Sequence, residues 1–366
     1  MTTPTPPAGA AARRGPLSAG DRIQLTDAKG RHHTIVLEAG KTFHTHRGQF
    51  AHDEIIGRPE GVVVTNTAGY DYLVLRPLLS DFVMSMPRGA AVIYPKDSGQ
   101  IIQMADIYPG ATVVEAGVGS GALTMSLLRA VGDSGRLISV ERREDFADIA
   151  RANVESHFHG PHPAWTLEIG DFADRVREVE PGTVDRVVLD MLAPWENLEA
   201  AADALAPGGV FLAYVATATQ LSRVAEELRS HGGYTEPQAW ESMVRTWHLE
   251  GLAVRPDHRM IGHTGFLITS RRLAPGQTAP VRTRRPSKGA YPTDADWTPE
   301  ELGERSVSDK KVRRVRRDAE RTRDVEMGVG PSADENIAGG TVVEHTTVVD
   351  NNTVADSGTG AEDGGR

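Results

Sequence analysis

The chain contains no cysteine. Disulfides, thiolate metal sites and cysteine nucleophiles are thereby excluded, and the composition fits a reducing interior. Long apolar runs are also missing. Nothing approaches the roughly 18 consecutive apolar residues of a membrane span. The opening stretch MTTPTPPAGAAARRGPLSAG lacks the apolar core of a signal peptide. The expectation is a soluble, cytoplasmic protein with no membrane partner. Net positive charge is absent too, the formal total being -10. That total weighs against a nucleic-acid partner, but phosphate binding depends on local patches. The segments VRTRRPSKGA and KKVRRVRRDAERTR are strongly basic, and the chain beyond them is acidic and sparse in large apolar residues.

At 366 residues the chain has room for two domains and extended ends. Residues 1–14 are rich in Pro and Ala and read as disordered. Residues 15–70 read as a small β domain of short strands broken by turns. Within it, RIQLTDAKGRHHTIVLEAG has two runs flanking Asp27 to Gly30, a hairpin pattern. Residues 71–274 change character. DYLVLRPLLSDFVMSM has helical apolar spacing interrupted by Pro77. Strands and helices then alternate. ATVVEAG, GRLISVER, AWTLEIGDF, VDRVVLDM and GGVFLAYVAT read as strands, and GALTMSLLRAVG, REDFADIARANVESHF, PWENLEAAADAL and TQLSRVAEELRSHGG as helices. Two late strands, QAWESMVRTWHLEGL and TGFLITSRRL, are expected to close the domain. The alternation predicts an α/β fold with a mostly parallel sheet covered on both faces. Residues 275–366 read as a disordered tail, within which the KKVRRVRRDAERTR run has the composition of a transient helix.

Chemistry concentrates at the strand ends. VVEAGVGSGALT places Gly117, Gly119 and Gly121 where the first strand meets the first helix. Glycines there permit a tight turn at positive φ and let a ligand approach the backbone. A plain strand-to-helix turn would look the same, so context must decide. Glu141 ends the second strand, where a carboxylate can take both hydroxyls of an adenosine ribose; capping of the next helix is the alternative. Gly170, Asp171 and Phe172 end the third strand. Asp171 there can accept from an adenine amino group with Phe172 against the ring, or it can serve as a helix N-cap.

The third glycine arrives one residue too early for a dinucleotide fingerprint, and Ala122 stands where that pattern would end. No G-K-[ST] comes after it, which excludes a Walker-type loop. Glu115 just before the loop suits a cationic cofactor and repels a pyrophosphate. Together these favour S-adenosylmethionine. Asp190 ends the fourth strand in VVLDMLAPW, facing the same cleft. A fixed carboxylate there can accept from an exocyclic amino group while the adjacent ring nitrogen attacks a methyl. Trp195 or Tyr94 can hold the base by stacking. Asp190 as the cap of the helix starting at Pro194 remains the alternative, with the cap several residues early.

RGAAVIYPKDSGQIIQMADIYPG, VVEAGVGSGALT, VVLDMLAPW and RMIGHTGFL together resemble the bacterial and archaeal tRNA (adenine-N1)-methyltransferases that modify adenine 58 of the T-loop, most closely their actinobacterial branch. The likeness spans about Gly15 to Leu273. It implies a Rossmann-like class I S-adenosylmethionine methyltransferase domain with a small N-terminal β domain, acting as a homotetramer on tRNA. It places the catalytic aspartate on Asp190 and the pocket tyrosine on Tyr94. It places the cofactor contacts on Gly117, Val118, Gly119, Ser120, Gly121, Ala122, Leu123, Glu141 and Asp171, and more loosely on Phe146 and Gln100. The tail departs from the compact family pattern, and its basic segment is expected to help hold tRNA.

Other features carry less. His32, His33, His44, His46 and His52 gather in the β domain; with no regular ligand spacing they read as solvated or RNA-facing, and no metal is expected. RTWHLEGLAVRPDHRMIGHTGF mixes aromatic and basic residues and reads as RNA contact, subunit contact or packed late strands. The competing functions are a methyltransferase acting on protein carboxylates, which has no need of the β domain or the Asp-x-x-x-Pro-Trp segment, and an RNA-binding scaffold with a dead cofactor fold.

Overall fold

The structure, a computed structural model, describes residues 14–89 and 91–280 together with Lys310 and Arg313. The expectations for residues 1–13 and for the tail beyond 280, including its basic segment, lie outside the described residues.

The first layer is built from β1 (Arg22–Asp27), β2 (His32–Val36), β3 (Thr42–Thr45), β4 (Gly48–Ala51), β5 (Val62–Thr65) and β6 (Asp71–Leu75). β2, β1, β6 and β5 pair antiparallel in that order, and β3 pairs with β4 as a separate hairpin. The β1–β2 turn is held by Asp27, whose carboxylate accepts the backbone N–H of Lys29 and of Arg31 and the Arg31 guanidinium. Gly30 supplies the positive φ the turn needs. Ile23, Leu25, Leu37, Phe50, Val64, Tyr72 and Val74 form its core.

The helical reading of 71–86 is corrected over its first half, where Asp71–Leu75 is strand β6. Tyr72 and Val74 are buried while Asp71 and Leu73 face out, a period of two. Pro77, with no N–H to donate, separates this strand from helix α1 (Leu79–Ser85). Helix α2 (Pro95–Met104) comes next, with Pro95 at its first position; its apolar residues are too sparse for the sequence pattern to mark it.

The second layer comprises β7 (Thr112–Ala116), α3 (Ala122–Val131), β8 (Arg136–Glu141), α4 (Glu144–Phe158), β9 (Trp165–Ile169), α5 (Phe172–Val176), β10 (Val184–Asp190), α6 (Leu198–Ala204), β11 (Leu205–Val215), α7 (Ala218–His231), β12 (Gln238–Trp240), β13 (Trp247–Glu250), β14 (Ala253–Pro256) and β15 (Phe266–Arg271). Seven strands form one sheet in the order β12-β15-β11-β10-β7-β8-β9. β7 to β11 are parallel, and β15 runs antiparallel to β11 and β12. Consecutive residues on each strand face opposite layers. Val114, Ile138, Leu189 and Phe211 pack with α5, α6 and α7, whereas Val113, Leu137, Val188 and Leu212 pack with α1, α2 and α3. Burial on both faces explains why these strands read as unbroken apolar runs.

The expected strand QAWESMVRTWHLEGL divides in two. Only Gln238–Trp240 joins the large sheet, and Trp247–Glu250 pairs with β14 as a hairpin. Between them Ser242 is turned inward by buried partners on α2, which breaks the extended run.

The chain leaves β7, builds β8 and β9 to one side, then crosses back to place β10 on the other side of β7. The carboxyl ends of β7 and β10 therefore diverge at a topological switch point, where open α/β sheets bind ligands.

Candidate active site

The loop after β7 lies directly on the end of β10. Gly117 has φ +85°, and a Cβ there would fall 1.7 Å from the Asp190 carbonyl oxygen. Only glycine fits that contact. Gly121 (φ +81°) caps α3 and packs on α4, where a Cβ would meet Val154 at 3.2 Å. Gly119 (φ +55°) differs, because the space above its Cα is open. Val118, Ser120, Ala122 and Leu123 are buried, so this stretch offers backbone rather than side chains to the cleft.

Carboxylates converge on the same edge. Glu141, at the end of β8, accepts the Gly119 N–H at 3.1 Å and the Arg143 N–H at 3.0 Å. It is nearly buried, and Arg143 rather than Glu141 holds the N-cap position of α4. Glu115 on β7 is fully buried. Its Oε2 accepts the Thr124 and Ser139 hydroxyls at 2.8 Å each, and its Oε1 has no partner. Burial pushes the Glu115 carboxyl up to about 7 against those two bonds, with Asp190 and Glu141 adding to the rise. Asp190 is half-buried at the end of β10; burial first and Glu141 second raise it to about 7.

An acidic, partly dry cleft beside an open glycine cradle is the environment a cation stabilises. An orphaned buried carboxylate oxygen under the loop points the same way. The donor set therefore fits S-adenosylmethionine, whose sulfonium is cationic and whose adenosine would lie toward Glu141. Among the described residues, no group of three or more His, Cys, Asp or Glu is arranged to hold a metal ion.

The third strand end is tied to the second. β9 ends at Ile169, and Gly170 donates to the Glu141 carbonyl at 2.9 Å. Asp171 takes the N-cap position of α5 without a side-chain cap bond, and its exposed carboxylate pairs with Arg142 at 2.5 Å. Phe172 is 4% exposed and packs in the core under α5 and α6. Phe146, on the first turn of α4, is half-buried, with the Arg143 guanidinium 4.1 Å over its ring and Gly89 packed on its edge. Tyr94 holds the N-cap position of α2, half-buried, and Gln100 lies six residues along the same helix.

Trp195 is partly buried against the core in a short 3-10 turn, with the Arg223 guanidinium 4.4 Å from its ring. Tyr214 pairs in register with Asp190 at the end of β11. A Cβ on Gly265 would strike the Tyr214 ring at 2.3 Å, so that glycine makes room for it. Burial raises the Tyr214 phenol, the Thr264 hydroxyl opposes the rise, and Asp97, Asp190 and Tyr94 add to it. Sequence reasoning missed Tyr214; its one signal is that it is the last aromatic of the fifth strand.

The chain matches the family model described as tRNA methyltransferase complex GCD14 subunit over residues 72–255, and the TrmI-like N-terminal model over residues 15–64. It is 34% identical over 250 residues to the tRNA (adenine(58)-N(1))-methyltransferase TrmI of Thermus thermophilus, covering 68% of this chain and 96% of the relative. The Methanocaldococcus jannaschii tRNA (adenine(57)-N(1)/adenine(58)-N(1))-methyltransferase TrmI is 33% identical over 58% of this chain and 82% of its own length. Among solved structures, a SAM-dependent O-methyltransferase from Thermotoga maritima superposes with a TM-score of 0.66 at 31% identity, over 71% of this chain and 96% of that one. The tRNA (m1A58) methyltransferase TrmI from Aquifex aeolicus superposes at 0.62 with 25% identity, over 71% and 100%.

Proposed function

This chain belongs to the tRNA methyltransferase family that includes the TrmI adenine-N1 enzymes, and from that premise we propose how its carboxyl-edge cleft works. The protein is an S-adenosylmethionine-dependent tRNA (adenine-N1)-methyltransferase, and its target is adenine 58 of tRNA. The observation that carries the site reading is the contact of Gly117 with Asp190. It sets the glycine loop against the backbone of Asp190 with no space for a side chain between them.

When bound, the cofactor supplies an electrophilic methyl group on a sulfonium. N1 of a neutral adenine carries its own lone pair, so the protein's task is positioning rather than proton abstraction. The Asp190 carboxylate accepts from the exocyclic amino group. It thereby orients N1 and stabilises the positive charge that develops on the ring. Tyr94 forms one wall of the base pocket. Gly117 to Leu123 cradle the cofactor by backbone, Glu141 takes the ribose hydroxyls, and Asp171 takes the adenine amino group. Phe146 and Gln100 border the cofactor, and Gly170 and Phe172 close its adenine end.

The division into a small β domain, residues 15–70, and a methyltransferase domain, residues 71–274, is supported by the two separate sheets, with β6 (Asp71–Leu75) pairing into the first. Self-association into a homotetramer is supported by the β13–β14 region, where Trp247, Leu249, Leu252 and Val254 are all more than half exposed on one hairpin. A tRNA substrate accords with action in the cytoplasm.

The rival acceptor, a protein carboxylate, is not favoured, because the match includes the N-terminal domain of tRNA enzymes. Transfer of labelled methyl from the cofactor to bulk tRNA and to bulk protein separates the two. Label is expected in tRNA alone; label in protein with none in tRNA would overturn the reading.

A further inference from the structure

Behind Tyr94 lies a charged pair that the methyl-transfer reading leaves without a task. Lys96 and Asp97 occupy the first turn of α2, with side chains 4% and 1% exposed, and their ion pair measures 2.7 Å. Lys96 Nζ also donates to the Thr264 hydroxyl at 2.7 Å and to the Ser242 carbonyl at 2.8 Å. The Asp97 carboxylate accepts from the Ser242 hydroxyl at 2.9 Å and from the Thr264 hydroxyl at 2.6 Å. All three ammonium protons and both carboxylate oxygens are thereby used.

A buried pair of this kind is weak evidence for stability, because desolvating both ions offsets most of their attraction. Its geometric effect is larger. It locks three segments far apart in sequence: the start of α2, the stretch between β12 and β13, and the turn before β15. Two of these segments lie next to the aromatic residues beside Asp190. The α2 anchor sits directly after Tyr94. Thr264 precedes Gly265, which seats the Tyr214 ring. Thr264, Asp97, Tyr94 and Asp190 all bear on the Tyr214 phenol.

We propose that Lys96, Asp97, Ser242 and Thr264 are positioning residues that set Tyr94 and Tyr214 against Asp190, and so fix the target base for attack. This rests on the reading of Asp190 as the acceptor carboxylate. A base misplaced by 1 Å slows transfer by about 100-fold. The hydrogen bonds of these four residues involve neither the glycine loop nor Glu141, so cofactor binding is expected to be retained.

The test compares Thr264→Val, which keeps the shape and removes the hydroxyl, with Thr264→Ser, which restores it. Ser242→Ala is the milder second variant and Asp190→Ala the control. Single-turnover methylation of tRNA, the Kd for S-adenosylmethionine and the melting temperature are measured for each. Thr264→Val is expected to lose about tenfold or more in rate, with the cofactor Kd held within about twofold and Thr264→Ser close to wild type. If Thr264→Val does not fold, the decision passes to Ser242→Ala, expected to lose about threefold or more.

Wild-type rates in the folded variants would overturn the proposal. Equal losses in Thr264→Val and Thr264→Ser, or a loss matched by cofactor Kd, would do so too. With Asp190→Ala inactive, such results remove the positioning role alone. An active Asp190→Ala would instead remove the site reading and this inference with it.

Discussion

Gly117 approaches the end of β10 so closely that a Cβ on it would lie 1.7 Å from the carbonyl oxygen of Asp190. The glycine loop after β7 is thus packed against the backbone at the end of β10. Gly119, two residues on, has open space where Gly117 has backbone. Gly117→Ala is expected to lose cofactor binding and lower the melting temperature sharply, since a peptide oxygen cannot yield. Gly119→Ala carries only the left-handed strain of about 1–2 kcal/mol, yet it fills the cradle. It should stay folded and bind S-adenosylmethionine weakly, as calorimetry beside thermal melts would reveal. Equal melting losses in the two variants would contradict this division.

Asp190 acts as a carboxylate that accepts a hydrogen bond from the adenine amino group, and in the free protein its carboxyl is raised to about 7 by burial and then by Glu141. The rate should therefore climb as pH rises through about 7. The limb in kcat/KM reports the free enzyme, and the limb in kcat should fall at lower pH because a bound sulfonium stabilises the carboxylate. Asp190→Asn, which presents an amide in place of a full carboxylate, should lose the limb along with most of the activity. A flat profile from pH 6 to 8, the range about one unit either side of 7, would contradict the assignment.

The same electrostatics make cofactor binding release protons. Near pH 7 the raised Glu115 and Asp190 carboxyls are partly protonated, and a cation bound near them shifts them toward the charged form. Calorimetry in buffers of different ionisation enthalpy should detect net release with S-adenosylmethionine. S-adenosylhomocysteine, which lacks the sulfonium charge, should release fewer. Equal release by both ligands would show that charge is not what the cleft senses.

Glu115 supplies a stability test independent of activity. Its carboxyl is raised from 4.5 to about 7, chiefly by burial. Its contribution to stability is therefore fully present below the unfolded value and lost as pH rises through the folded value. Glu115→Gln keeps an oxygen for the Thr124 and Ser139 hydroxyls and carries no charge. The variant should melt above wild type on the alkaline side of about 7, with the advantage vanishing toward pH 5. A constant difference across that range would show that the buried charge is not the cause.

The exposed hairpin supplies a test of assembly. Replacing Leu249 and Leu252, 74% and fully exposed, with Asp should leave the fold intact and reduce the solution mass measured by light scattering. No change in mass would mean the chain associates through another face or not at all.

The α/β class was legible because burial on both faces of a parallel sheet leaves apolar runs that alternate with amphipathic helices. The cofactor side was legible as chemistry, since glycines and acids fall at successive strand ends. What escaped depended on contacts remote in sequence. Asp71–Leu75 carries both a period of two and an apolar density compatible with a helix, and only pairing with β1 and β5 decides between them. The packing of Phe172 under α5 and α6 and of Arg223 on Trp195 was likewise not legible, because the partners come from other elements. Lys96 and Asp97 look like an ordinary helix start, because their partners Ser242 and Thr264 lie 145 to 168 residues away.

The central claim is that Asp190 carries methyl transfer to N1 of adenine in tRNA. It is tested most directly by mass spectrometry of nucleosides from unmodified tRNA incubated with S-adenosylmethionine and either wild type or Asp190→Ala, each checked for cofactor binding. Wild type should give 1-methyladenosine, and the variant should lose orders of magnitude of product while still binding cofactor. Near-full formation of 1-methyladenosine by Asp190→Ala, or a different methylated nucleoside from wild type, would contradict it.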